Sequence, residues 1–240
     1  MKTINLLLLL CLTLSLGACK KDKTEGPEST QADANSLKLA EDNNDLKAEG
    51  DQANTDVTDA LENFTSINGR KAATEANKIV CGCTIDSIGT KTIRLAYDGV
   101  TPCGSPSRTR AGKITAQLIQ GNRWANQGAV LKITFDQYTV TRLRDNVSWT
   151  FVGDKYYTNV NGTNWSRFLL SLDSLLFRER AKDLLILHGS GATTTYNIAR
   201  ITSWKKVKES NRDFIQLAAL GDTSINGLQN VDTWGVSRFG

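Results

Sequence analysis

From Ile79 onward, apolar and polar residues alternate with a period of two, and turn signals separate the alternating runs. Ile93, Leu95 and Tyr97 alternate with Arg94, Ala96 and Asp98; Ile114, Ala116 and Leu118 follow the same rhythm. Leu131, Ile133 and Phe135 do so next, then Tyr138 and Val140, then Trp149 and Phe151. Successive side chains of a strand point to opposite faces, so this rhythm builds half-buried strands and cannot sit on one helix face. Asp98-Gly99, Gln120-Gly121, Asn126-Gln127-Gly128, Gly153-Asp154 and Asn161-Gly162 are read as the turns, with glycine supplying a positive φ.

Short turns between such runs predict a mainly β fold: an antiparallel extended sheet, a sandwich or an open barrel. No strand–helix–strand rhythm is present, which argues against a parallel nucleotide-binding sheet. The leucines of Leu169 to Arg180 suit either a helix or strands. Strands are favoured, because Leu184-Leu185-Ile186-Leu187 and Thr193-Thr194-Thr195-Tyr196 resume β composition nearby.

The region before the strands has a different character. Residues 20–78 carry 8 Lys/Arg and 13 Asp/Glu, a net of −5, whereas residues 79–240 carry 20 and 12, a net of +8. Residues 19–55 have few large apolar side chains and read as a disordered acidic tether, unable to bury enough surface to offset ordering entropy. Val57, Ala60, Leu61 and Phe64 then fall at helical spacing. They predict a short helix within a connector spanning 56–78, capped by Asn54, Thr55 or Asp56 and ended by Gly69. The β domain is placed at 79–240. Its net of +8 suits solubility and also anionic partners; no nucleic-acid partner is expected.

Residues 1–18 form a leader. Lys2 gives a positive start, Leu6 to Leu16 is an apolar run, and Leu16-Gly17-Ala18 precedes Cys19. The run is shorter than the roughly 20 residues a spanning helix needs and fits the core of a signal peptide. The Leu-Gly-Ala-Cys tetrad resembles the lipobox of bacterial lipoproteins. That resemblance implies cleavage before Cys19, diacylglycerol on its thiol and acylation (palmitate) of the new N-terminus. Lys20 rather than aspartate follows, which in that class favours the outer membrane, with the mature chain facing the periplasm or the cell surface.

Five cysteines occur; with Cys11 in the leader and Cys19 lipidated, Cys81, Cys83 and Cys103 remain. An exported chain is oxidised, so a disulfide is expected, Cys83 to Cys103 with Cys81 to Cys103 as the competing pairing. Cys81 and Cys83 are too close along a strand to bond each other.

Arg108-Thr109-Arg110-Ala111-Gly112-Lys113-Ile114, then Gly128 and Ile133-Thr134-Phe135-Asp136-Gln137-Tyr138-Thr139-Val140, form a combination. It resembles a group of Bacteroidota lipoproteins with the pattern R-x-R-x-G-K-I … I-T-F-D-x-(Y/F)-x-V. The resemblance covers roughly residues 75–205, implies a β-rich lipoprotein domain and carries no activity. Two departures stand out. Arg142-Leu143-Arg144-Asp145-Asn146 replaces a glycine-containing segment, and the chain stops at Arg238-Phe239-Gly240 where more strands are expected. C-terminal truncation would account for that stop and for the odd cysteine.

Catalytic constellations are weak. His188 is the single histidine, which rules out a histidine-rich metal site; no metal ligands and no cofactor are assigned. His188-Gly189-Ser190-Gly191 lacks the strand–turn–helix setting of a serine nucleophile and reads as a hairpin turn. Cys81-Gly82-Cys83 is too tight for the usual zinc pair. Asp136, Asp154 and Asp173 cannot be paired from sequence, so no catalytic residues are assigned. Trp124, Trp149, Trp165 and Trp204 sit near basic residues and are the candidate ligand-stacking rings, against the alternative that they fill the core. The expectation is therefore a lipid-anchored, non-enzymatic envelope binding or structural module, meeting a glycan or other envelope component. Its rivals are a carrier of a lipid or hydrophobic ligand in an open β groove and an envelope glycan hydrolase.

Overall fold

The computed structural model describes residues 27–63, 80–170, 174–209, 212–222 and 236–239. The chain divides into two compact units, 1–45 and 46–240. Helix α1 (Pro27–Asn63) begins in the first and ends in the second. Leu37 and Leu39 of the first unit are exposed. The leader, Cys19 and the 64–79 connector lie outside the described residues.

The second unit is one antiparallel sheet with helix on its inner face. Its strands are β1 (Cys83–Gly89), β2 (Thr92–Asp98), β3 (Arg108–Gln120), β4 (Ala129–Arg142), β5 (Val147–Asn159), β6 (Leu175–His188), β7 (Thr193–Glu209) and β8 (Arg212–Gly221). They lie side by side in chain order, each antiparallel to the last, and β9 (Val236–Phe239) pairs with the first part of β7. The sheet does not close, because its end strands β1 and β8 pair only inward. Of the three β architectures expected, the extended open sheet is the one formed. A six-residue helix α2 (Trp165–Leu170) takes in the first two residues of the Leu169–Arg180 stretch, and Asn164 caps it by accepting the Arg167 N–H at 2.9 Å. Leu175–Arg180 is strand, as composition predicts.

The sheet bends around α1 because it carries aligned bulges. β4 slips out of register between Phe135 and Tyr138 against β5 and between Asp136 and Thr139 against β3, and β6 slips between Ala181 and Leu184 against β7 and between Ala181 and Leu185 against β5. Gln137 and Asp183 take positive φ there, at 51° and 54°. Each bulge inserts two outward polar residues between two inward apolar ones, which bends and twists the strand. Gly112 of β3 sits against the β4 bulge. A Cβ on it would lie 2.0 Å from the Gln137 carbonyl oxygen, so glycine is required. Gly153, expected in a turn, instead lies inside β5 opposite Phe135. Its φ of 122° is absorbed at the bend, not at a hairpin.

The inner face carries Ile93, Leu95, Ile114, Leu131, Ile133, Phe135, Tyr138, Phe151 and Ile186, all buried against Leu46, Ala53, Val57, Ala60 and Leu61 of α1. Each large aliphatic among these is worth roughly 1.5–3 kcal/mol of burial. The helix thus starts well before residue 56, and residues 27–55, assigned to the tether by composition, are helical. Composition misleads here because the buried stripe also uses Glu49, Asn54 and Asp56, which are covered by pairing with the sheet and not by apolar contact.

The disulfide is Cys81–Cys103, with Cα atoms 6.0 Å apart, not the favoured Cys83–Cys103. Gly82, at φ 64°, turns the chain between the two cysteines. Cys83 therefore begins β1 facing the core beside Ile85, while Cys81 meets the loop that follows β2. Burial, then the nearby Asp56 charge, pushes the Cys83 thiol up to about 12, so it stays protonated and inert.

Candidate functional site: a groove between the helix and the last strands

Two buried ionic clusters dock α1 onto the sheet. In the first, Glu49 meets Arg108 at 2.8 Å and Arg110 at 3.3 Å. Beside it, Asp56 accepts the Tyr97 hydroxyl at 2.7 Å and the Gln52 amide at 2.8 Å. Burial pushes the Glu49 carboxyl up despite the two arginines, and it raises Asp56 as well.

In the second cluster, Glu179 of β6 lies between Lys155 of β5 at 2.9 Å and Arg200 of β7 at 2.5 Å. It also accepts the Asn54 amide at 3.2 Å. Burial alone would raise this carboxyl; the two flanking cations outweigh it and hold it at about 2. Lys155 donates onward to the Gly50 carbonyl of α1 at 3.3 Å, and Arg200 donates to Asp51. Two carboxylates and two cations leave the cluster neutral. Such pairs add little net stability but penalise any misplaced helix, since an unpartnered buried charge costs about 3–5 kcal/mol.

Next to this cluster, a cavity of about 360 Å³ opens between α1 and strands β5 to β8. One wall is polar and helical, with Asp51, Gln52, Asn54, Thr55 and Thr58. The facing wall is Tyr157, Phe177, Thr202, Trp204, Leu217 and Ala219, with Arg200 at its inner end. Register explains the second wall, because Trp204 pairs with Leu217 and Thr202 with Ala219 on the inward phase of β7 and β8. Its volume lies at the lower end of ordinary small-molecule sites.

The four candidate stacking tryptophans separate. Trp124 and Trp149 are 2% and 1% exposed and are core residues, which corrects their assignment as ligand-stacking rings. Trp124 stacks on Tyr157 and Phe177 at 5.7 and 5.9 Å, so it braces the cavity's back wall from behind. The Arg142 guanidinium covers Trp149 at 5.3 Å. The ring of Trp165, at the start of α2, lies outside the described residues. Of the three described rings, Trp204 lines the cavity.

His188-Gly189-Ser190-Gly191 is the β6–β7 hairpin turn, where the Gly191 N–H bonds the His188 carbonyl at 2.8 Å. The His188 ring bonds Thr194 across the hairpin at 2.8 Å. Asp154 is engaged by Lys132 and Thr134, at 3.0 and 2.6 Å. Among the described lining residues Asp51 is the one carboxylate, where glycoside hydrolysis uses two. Among the described residues no His, Cys, Asp and Glu group has metal-site geometry, and no helix is long and apolar enough to cross a membrane.

Sequence reasoning passed over Asp51, Asn54, Lys155, Glu179 and Arg200. The signal was present: Lys155 and Glu179 stand in phase with the inward apolar residues of β5 and β6. Reading Gly153-Asp154 as a turn breaks that phase. No family model, no curated protein and no solved structure matches this chain, so its functional reading rests on the groove.

Proposed function

We propose that this chain is a lipid-anchored cell-envelope protein whose β domain is a non-enzymatic binding module, using the groove between α1 and β5–β8. The cavity of about 360 Å³ lined by Trp204, Asn54 and Asp51 carries the reading. It pairs an apolar wall with convergent polar groups, the usual make-up of a ligand site. The Leu16-Gly17-Ala18-Cys19 tetrad supports the anchor, and with it an outer-membrane location. Several acyl chains on one residue would make that attachment stable.

A second reading, a carrier of a hydrophobic ligand, draws support from Leu217 and Ile215. Both are about half exposed, at 53% and 51%, and lie in register with Trp204 and Lys206.

The test has two parts. Mass spectrometry of the protein from membranes should find Cys19 acylated at the N-terminus, and Cys19→Ser should move the chain to the soluble fraction. A small-molecule extract of envelopes should raise the melting temperature of the full chain, and Trp204→Ala should abolish that rise. An unmodified Cys19 overturns the anchor; an extract without effect overturns the binding module.

A further inference from the structure

The groove's polar wall presents hydrogen-bond acceptors together with a few amide and guanidinium N–H groups. Asn54 is 6% exposed, its amide nitrogen is committed to Glu179, and its Oδ1 is buried with no hydrogen-bond partner. Thr55 and Thr58 donate their hydroxyl protons back to the helix carbonyls of Asp51 and Asn54, at 3.2 and 3.0 Å. Their oxygens keep lone pairs. The Gln52 amide gives one N–H to Asp56 and keeps its oxygen and second N–H. Asp51 offers a carboxylate whose side chain is 51% exposed. The Arg200 guanidinium, the cation of this cavity, already serves Glu179 and Asp51.

A ligand that fits this wall brings donors. A carboxylate or phosphate brings acceptors only and would meet Asp51. An ammonium head brings donors but would approach a domain whose net charge is +8 over residues 79–240. Hydroxyls on a neutral ring satisfy the wall without either penalty. The opposite wall asks for an apolar face, since Trp204, Leu217 and Ala219 line it together. A cyclic polyol has both sides: C–H bonds on one face and hydroxyls around its rim.

We propose, resting on the binding-module reading, that the groove takes a neutral sugar ring, its C–H face on Trp204 and its hydroxyls donating to Asp51, Thr55 and Thr58. The cavity displaces on the order of twelve waters' volume on filling, enough for one or two such rings. No bond is made or broken.

The test uses the full chain in nanodiscs with fluorine-labelled tryptophan, the Trp204 resonance being assigned with Trp204→Phe. Neutral mono- and disaccharides, decanoate and glucosamine are titrated separately. The expected result is a saturable shift of the Trp204 resonance with a neutral sugar. Thr55→Val, an exposed change that leaves the core intact, should weaken it several-fold, and Trp204→Ala, followed by calorimetry, about tenfold. A shift with decanoate alone, or with glucosamine alone, overturns the sugar class while leaving a binding module in place. No shift with any probe also overturns it; the envelope-extract experiment then decides whether the broader reading falls too.

Discussion

Lys155 and Glu179 form a salt bridge of 2.9 Å beneath α1, with side chains 1% and 3% exposed. Neighbouring strands supply the pair, and the helix seals it from water by offering the Gly50 carbonyl and the Asn54 amide. Helix position, strand pairing and the groove's inner end therefore depend on one another.

Removing one member should cost far more than removing both. Lys155→Met should destabilise the domain by about 3–5 kcal/mol, because Glu179 would keep its charge in a dry site with Arg200 alone. The double change Lys155→Met with Glu179→Leu should recover a large part of that loss. Urea denaturation of both variants measures it; equal losses would show that the pair is not desolvated.

Gly112→Ala should be among the most damaging single-methyl changes in the sheet. Its Cβ would overlap the Gln137 carbonyl, and its φ of 85° disfavours any side chain. A loss of at least about 3 kcal/mol is expected by chemical denaturation. Gly128→Ala is the control: it shares a positive φ of 73° but meets nothing within 4 Å, so its cost should stay near 1 kcal/mol.

Cys81→Ser or Cys103→Ser should lower stability by about 3 kcal/mol through the reopened loop. Cys83→Ala should leave the bridge in place. Non-reducing peptide mapping should recover one cross-linked peptide holding Cys81 and Cys103. A Cys83 cross-link would contradict the geometry at Gly82.

Asp59 gives stability a pH dependence of defined sign. Burial, then the neighbouring Asp56 and Glu62 charges, raise its carboxyl to about 6. The folded state then holds a proton that the unfolded chain releases near 4, so Asp59's contribution is greatest below about pH 4 and is lost as pH rises through about 6. Glu49 and Asp56 act in the same sense. Glu179, held at about 2, acts oppositely, and its contribution is lost as pH falls toward that value. Asp59→Asn should stabilise the protein at pH 7.5 by on the order of 1 kcal/mol and lose that advantage near pH 4. Denaturation curves at the two pH values check it.

The local pattern of residues determined most of the strands by itself. Ile93-Leu95-Tyr97 and Leu131-Ile133-Phe135 alternate because each side chain must choose the core face or water, and that choice is written two residues apart. The turns at Gly99, Gly121, Gly128 and Gly162 follow from positive φ in the same local way. Tertiary structure decided what depends on partners distant in the chain. Glu49 and Asn54 look like tether residues until arginines and a glutamate some 60 and 125 positions away cover them. Cys81 wins over Cys83 because a single left-handed glycine separates their directions, and Trp204 becomes a groove residue while Trp124 becomes core because Trp204 faces polar helix residues across the cavity and Trp124 is stacked on Tyr157 and Phe177. Alternation reports which face a residue takes; it carries no information on what stands opposite that face, and the groove is made of such oppositions.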